Sequence, residues 1–258
     1  MSQTEGQTLE EGKSGVSQEE TIKTYVEGFD EILGGGIPRS HVVLVSGLPG
    51  TMKSSLVYSI LYNNSLREGR NCLYITLEQG KKSLEKQMAK MGFKVGEVAG
   101  KLHILDVATL QRRMQEGSRD LWIDFLQRAV EFRKELGVVD SIAVDSLEAL
   151  EVLARFEDRR QELFRLFDWF RGQGATSFLI AEAPPEPTLS ILLHAHGNEA
   201  DYLADGIIHL KMHQVSDVDV QRRIRVVKMR AANHKTGFYA LVFDKGKFSV
   251  TRAMSGSF

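Results

Sequence analysis

The stretch HVVLVSGLPGTMKSSL, His41 to Leu56, decides the reading of the chain. Its first part, Val42-Val43-Leu44-Val45, is too short for a helix and rich in β-branched residues, so it predicts a buried strand. Gly47-Leu48-Pro49-Gly50-Thr51-Met52-Lys53-Ser54 follows, and Ser55-Leu56-Val57-Tyr58-Ser59-Ile60-Leu61 has the pattern of a helix. Strand, glycine-bearing loop, Lys-Ser and helix make the plan of a phosphate-binding P-loop. Backbone N–H groups curl around an anion while the helix N-terminus adds its positive dipole end. Lys53 then reaches the β- and γ-phosphates, and the Ser54 hydroxyl ligates magnesium. The nucleotide-binding residues are Gly47, Leu48, Pro49, Gly50, Thr51, Met52, Lys53, Ser54 and Ser55. One residue departs from the usual pattern, which has glycine where this chain has Met52.

Working outward, 258 residues with 42% hydrophobic content suffice for one large folded domain. Met1 to Lys23 is rich in Gln, Glu, Ser and Gly and has no aromatic residue, which predicts a disordered tail. The folded domain is expected over residues 24–258. The net charge of −1 gives the molecule no polycation character, so any nucleic-acid role needs a local basic patch. The single cysteine, Cys72, excludes an intrachain disulfide, and its apolar neighbours suit a packed core thiol. No apolar run reaches transmembrane length and no signal-peptide segment opens the chain. The expectation is a soluble cytoplasmic protein with no membrane contact.

Downstream, helices alternate with strands. Helices are expected over Lys53–Arg67, Lys81–Met91, Leu121–Leu136 and Arg155–Arg171. Strands are expected over Asn71–Leu77, Leu102–Val107, Ser141–Ser146, Thr176–Ala181 and Ile207–Leu210, with two alternating strands, Arg222–Met229 and Phe238–Phe243, at the end. This predicts a mainly parallel α/β sheet covered on both faces, extended by antiparallel C-terminal strands. Asp145 closes one apolar strand, where a P-loop ATPase keeps the acid that positions magnesium. Glu78 follows the end of another and is placed to activate a water attacking the γ-phosphate.

Together these segments resemble the KaiC-like branch of the RecA superfamily. The resemblance rests on Gly28-Phe29-Asp30 with Leu33-Gly34-Gly35-Gly36-Ile37-Pro38, on the P-loop, and on Leu73 to Glu78. Val144-Asp145-Ser146 matches the Walker B strand, and Ala204 to Ile208 and Val227 to Arg230 with Asn233-His234 match later segments. It covers roughly Thr24 to Phe248. It implies a RecA-like ATP-binding domain forming rings, usually homo-hexamers, with ATP between subunits, and the expectation drawn here is a regulatory or signalling ATPase that binds Mg-ATP, hydrolyses it slowly and has a protein partner. Glu78 matches the catalytic glutamate, and Lys228 and Arg230 match a pair that reaches the neighbour's γ-phosphate. In the circadian clock ATPase of that branch two adjacent glutamates stand where this chain has Glu78 and Gln79. Met52 and Gln79 bear on hydrolysis rate more than on fold. The alternative is a nucleotide-gated binding module with negligible turnover, whose ATP-bound assembly is read by a protein or DNA.

Two rival signals carry less weight. Arg222, Arg223, Arg225, Lys228, Arg230 and Lys235 form a basic cluster suited to nucleic-acid phosphates, but the alternation is equally that of a solvated strand face, and nucleic acid is not favoured. His194 and His196 with Glu199 and Asp201 have spacing compatible with a metal, yet a polar loop is the simpler account.

Overall fold

The computed structural model describes residues 20–106, 137–183 and 199–253. The phosphate-loop strand β3 (Val42–Gly47) runs through the middle of a sheet and is buried on both faces. Its side chains alternate, as a strand's must. Val43 and Val45 join one core cluster, with Leu56, Val57 and Leu61 of α2 (Lys53–Glu68). Val42 and Leu44 join the other, with Leu163, Phe167 and Phe170 of α5 (Arg159–Gly172).

The remaining parallel strands are β4 (Cys72–Thr76), β5 (Leu102–Asp106), β6 (Ser141–Asp145), β7 (Thr176–Glu182) and β8 (Gly206–Gln214). The antiparallel extension is β9 (Val220–Met229), β10 (Tyr239–Asp244) and β11 (Lys247–Arg252). Among the described residues the nine strands lie in the order β11-β10-β9-β8-β3-β7-β6-β4-β5. Helices α2 and α3 (Lys81–Lys90) cover one face; α4 (Leu147–Ala154), α5 and α6 (Glu199–Leu203) cover the other. This is the expected RecA-like α/β sandwich, mainly parallel with antiparallel C-terminal strands.

Helix α2 is buried from Ser55 to Ser65, unusual for a helix with so many polar residues. Its amide N–H groups find partners within the fold: Asn63 donates to the Ser59 carbonyl at 2.8 Å, and Asn64 to the carbonyls of Ile60 at 2.8 Å and Lys23 at 2.7 Å. Gly69 ends the helix in the left-handed conformation, at φ 65°. The core thiol of Cys72 is buried as expected, and burial pushes its pKa up to about 12. No described helix is long and apolar enough to cross a membrane.

Some boundaries differ from the sequence reading. Thr21–Ile22 is not tail but a short strand, β1, paired with Ile37–Pro38 (β2), which follows the turn α1 (Phe29–Ile32). Ile22 becomes fully buried there, an apolar gain that orders the segment. The helix expected over Arg155–Arg171 starts later, at Arg159, and a separate helix, Leu147–Ala154, precedes it and ends at Arg155 with φ 49°. Ser146 caps α4 by accepting from the Ala149 N–H, and Asp158 caps α5 by accepting from Gln161 at 3.1 Å. Strand β11 went unread. The Leu121–Leu136 helix and the His194–His196 spacing lie outside the described residues.

Candidate functional site

All six parallel strands point their carboxyl ends the same way, and the loop from Gly47 to Met52 leaves that edge at its centre. Glycine is required at position 47 because a Cβ there would lie 2.4 Å from the Leu210 carbonyl oxygen. The Thr51 hydroxyl donates to the Leu48 carbonyl at 2.7 Å, tightening the loop from within. Met52 adopts φ 73°, ψ 28° and caps α2, whose first hydrogen bond runs from Leu56 N–H to the Met52 carbonyl at 2.9 Å. The backbone therefore takes the left-handed turn that glycine favours, at a cost of about 1–2 kcal/mol for a residue with a Cβ. The methionine side chain packs against the core cluster on the α2 face.

That geometry yields an expectation. Met52→Gly relieves the strained turn without removing an N–H from the loop, so it binds ATP at least as tightly as the parent and hydrolyses it no more slowly. Calorimetric titration and phosphate release check this, and a marked loss would make the Met52 side chain a part of the site itself.

The loop opens onto a cleft of about 360 Å³ lined by Lys53, Ser54, Glu78, Asp145, Ser146 and Glu182, among others. In the sheet order, β7, β6 and β4 follow β3 on one side, so Glu182, Asp145 and Glu78 arrive from the ends of three successive strands. The Lys53 ammonium folds back onto the loop, donating to the carbonyls of Gly47 at 2.6 Å and Leu48 at 3.2 Å. Burial holds its pKa below the ordinary lysine value, opposed by the four carboxylates of Glu182, Glu148, Asp145 and Glu78. Asp145 is 4% exposed. Burial raises its pKa, while hydrogen bonds from Tyr74 and Ser54 pull it back.

Glu78 accepts from the Ser146 hydroxyl at 2.5 Å, which orients its carboxylate over the cleft floor. Gln79 turns away: its side chain accepts from Ser83 at 3.2 Å and donates to Gln87 at 3.3 Å, both on α3. The Gln79 side chain is thus tied to α3. Ser55 is buried and donates to the Met91 sulfur at 3.4 Å.

Lys228 and Arg230 are not brought to this cleft within the chain. Strand β9 is antiparallel to β8, so Lys228 pairs with Ile207 and Met229 with Gly206, beside the start of β3. Four strand residues, roughly 13 Å, separate that level from Gly47. Arg230 pairs with Asp205 at 2.6 Å, and Lys228 donates to the carbonyls of Asp201 at 3.2 Å and Tyr202 at 3.3 Å. Nor do the basic residues form one patch. Arg223 is buried, Arg225 lies over the Phe238 ring, and Arg222 donates to the Gly50 carbonyl at 3.3 Å.

A family model described as "ATPase: KaiC" matches residues 22–254. The chain belongs to the KaiC ATPase family. A UPF0273 protein of Aeropyrum pernix is 33% identical over 239 residues, covering 87% of this chain and 91% of that protein. The circadian clock protein KaiC2 of Synechocystis is 27% identical, and the match covers 88% of this chain but only 39% of that longer protein. The crystal structure of a KaiC-like protein from Pyrococcus horikoshii superposes with a TM-score of 0.74 at 24% identity, over 90% of this chain and 99% of that one, which carries the fold.

Within this KaiC-family domain, sequence reasoning missed Glu182, Glu148, Ser146 and Tyr74. Glu182 was within reach of the rule that found Asp145 and Glu78, had its strand been read one residue longer. A larger groove of about 500 Å³ between α5 and α6, flanked by Phe164 and Tyr202, holds none of the phosphate-loop residues.

Proposed function

We propose that this chain binds Mg-ATP in the phosphate-loop cleft and hydrolyses it slowly in a homo-hexameric ring, as a regulatory ATPase whose assembled state a partner protein reads. The observation that carries this reading is the mismatch of charge around the cleft. Four carboxylates surround Lys53 there, while Lys228 and Arg230 stand at the far end of the sheet. A triphosphate is stable in such a cleft only with further positive charge. Magnesium and the neighbour's Lys228 and Arg230, both presented at a ring interface, provide it.

The residues present suit magnesium held together with a nucleotide. No group of three or more His, Cys, Asp or Glu among the described residues forms a cage for a metal alone. Magnesium is commonly bound through one or two carboxylates plus substrate phosphates, and Ser54 with Asp145 supplies such a partial set. Held there, the ion would supply positive charge to the phosphates. The chain's own residues do the rest. Loop N–H groups and Lys53 orient the triphosphate, and Glu78 accepts the proton of the attacking water. The Ser146 hydroxyl keeps the Glu78 carboxylate in place.

A second reading, a nucleotide-gated binding module with negligible turnover, draws on the strained Met52 turn. Phosphate release run beside nucleotide-dependent sizing separates the two. Slow release from an ATP-dependent ring supports the ATPase; rings without release support the module. Failure of ATP to bind or to assemble the chain overturns both.

A further inference from the structure

Tyr74 lies in mid-β4 and is fully buried. In the register of β4 with β6 it stands opposite Ala143, while Thr76 stands opposite Asp145. All four side chains therefore share the face covered by α2. Diagonal neighbours across two strands are about 7–8 Å apart, within reach of a long aromatic side chain. The small Ala143 leaves room for the ring, and the Tyr74 hydroxyl donates to Asp145 Oδ2 at 2.7 Å. From above, Tyr58 of α2 packs edge-on against the ring, with centroids 5.8 Å apart at 62°. Tyr58 and Ser54 are four residues apart on α2, so the helix turn that clamps the Tyr74 ring also carries the serine beside Asp145.

A carboxylate in so dry a place needs its acceptors occupied, and an unfilled one swings its side chain to find a partner. We propose that Tyr74 is a positioning residue for magnesium. Its hydroxyl, delivered from the core side, fixes the rotation of Asp145 so that the carboxyl group faces Ser54 and the ion carried in with ATP. This rests on the Mg-ATP reading above. It adds that the geometry of the metal-side acid is set by a buried phenol the substrate never touches. Losing such an outer partner of a metal-bearing group typically costs 10–100-fold in metal affinity.

The test is ATP binding titrated with magnesium ions, on the full chain, in the parent and in Tyr74→Phe. The variant removes a single oxygen and keeps the ring. Its magnesium half-saturation is expected to rise about tenfold, while ATP affinity in EDTA stays within twofold of the parent. A merely structural role would lower the thermal midpoint and leave the magnesium half-saturation unmoved. An Asp145→Asn background supplies the second arm: there Tyr74→Phe should add less than twofold, because its route to the metal is gone. A parent protein whose ATP binding ignores magnesium overturns the Mg-ATP reading. A magnesium-dependent parent with an unshifted Tyr74→Phe, or an equal shift in the Asp145→Asn background, overturns the role of Tyr74.

Discussion

Glu78→Gln and Arg230→Ala proteins should each hydrolyse ATP at least a hundredfold more slowly than the parent, and mixing the two should restore a sizeable part of the rate. A positioned general base contributes about 10²–10⁴ in rate and an arginine finger about 10³–10⁵. Gln at position 78 can still accept from the Ser146 hydroxyl, so the change removes charge rather than local geometry. Arg230 cannot serve its own cleft, because antiparallel β9 leaves it beside the start of β3, paired with Asp205 at 2.6 Å. In a mixed ring, an Arg230→Ala subunit keeps Glu78 and receives Arg230 from a Glu78→Gln neighbour. Random one-to-one mixing in a head-to-tail ring makes about a quarter of the interfaces competent. ATPase rate against mixing ratio, after subunit exchange has been verified, checks this. Mixed rings that never exceed the sum of the separate rates would place Arg230 outside the neighbour's site.

What the sequence could reveal of this arrangement follows how local each determinant is. The phosphate loop is contiguous, so spacing alone brought out Gly47 to Ser55. Asp145 and Glu78 were legible because each ends or follows a short apolar run, and parallel strands collect such ends on one edge. The pairing of β1 with β2 was hidden, since two residues carry no period and Ile22 needs Ile37 from beyond α1 to be buried. Helix α4 went unread: it starts directly after β6, with Ser146 as the one residue between strand and helix, and its eight residues are too few to show a helical period. Tyr74 was least visible. In sequence it is one more aromatic in a strand, and its role depends on Ala143 lying opposite, a fact of β4–β6 register some seventy residues apart. Gln79 shows the converse. Its place beside Glu78 drew attention, and the structure ties its side chain to α3.

Lys53→Ala should weaken ATP binding about ten- to a hundredfold and leave the fold intact. A hydrogen bond to a charged group contributes about 1.5–3 kcal/mol, which converts to that range of affinity. The structure makes the upper part of the range the expectation. Lys53 lies in the field of Glu182, Glu148, Asp145 and Glu78, so its removal leaves the phosphates facing more of that negative charge. Stability should change little, because the ammonium is half-buried and its pKa is held down by desolvation, a sign that the fold gains little from its charge. Its hydrogen bonds to the Gly47 and Leu48 carbonyls are lost, but both carbonyls border an open cleft that water can enter. Calorimetric titration with Mg-ATP gives the affinity, and thermal unfolding without nucleotide gives the stability. The added nucleotide should raise the parent's midpoint more than that of the variant, since ligand stabilisation grows with the logarithm of one plus the ratio of free nucleotide to Kd. Unchanged ATP affinity in a folded Lys53→Ala protein would remove the phosphate loop from the binding site.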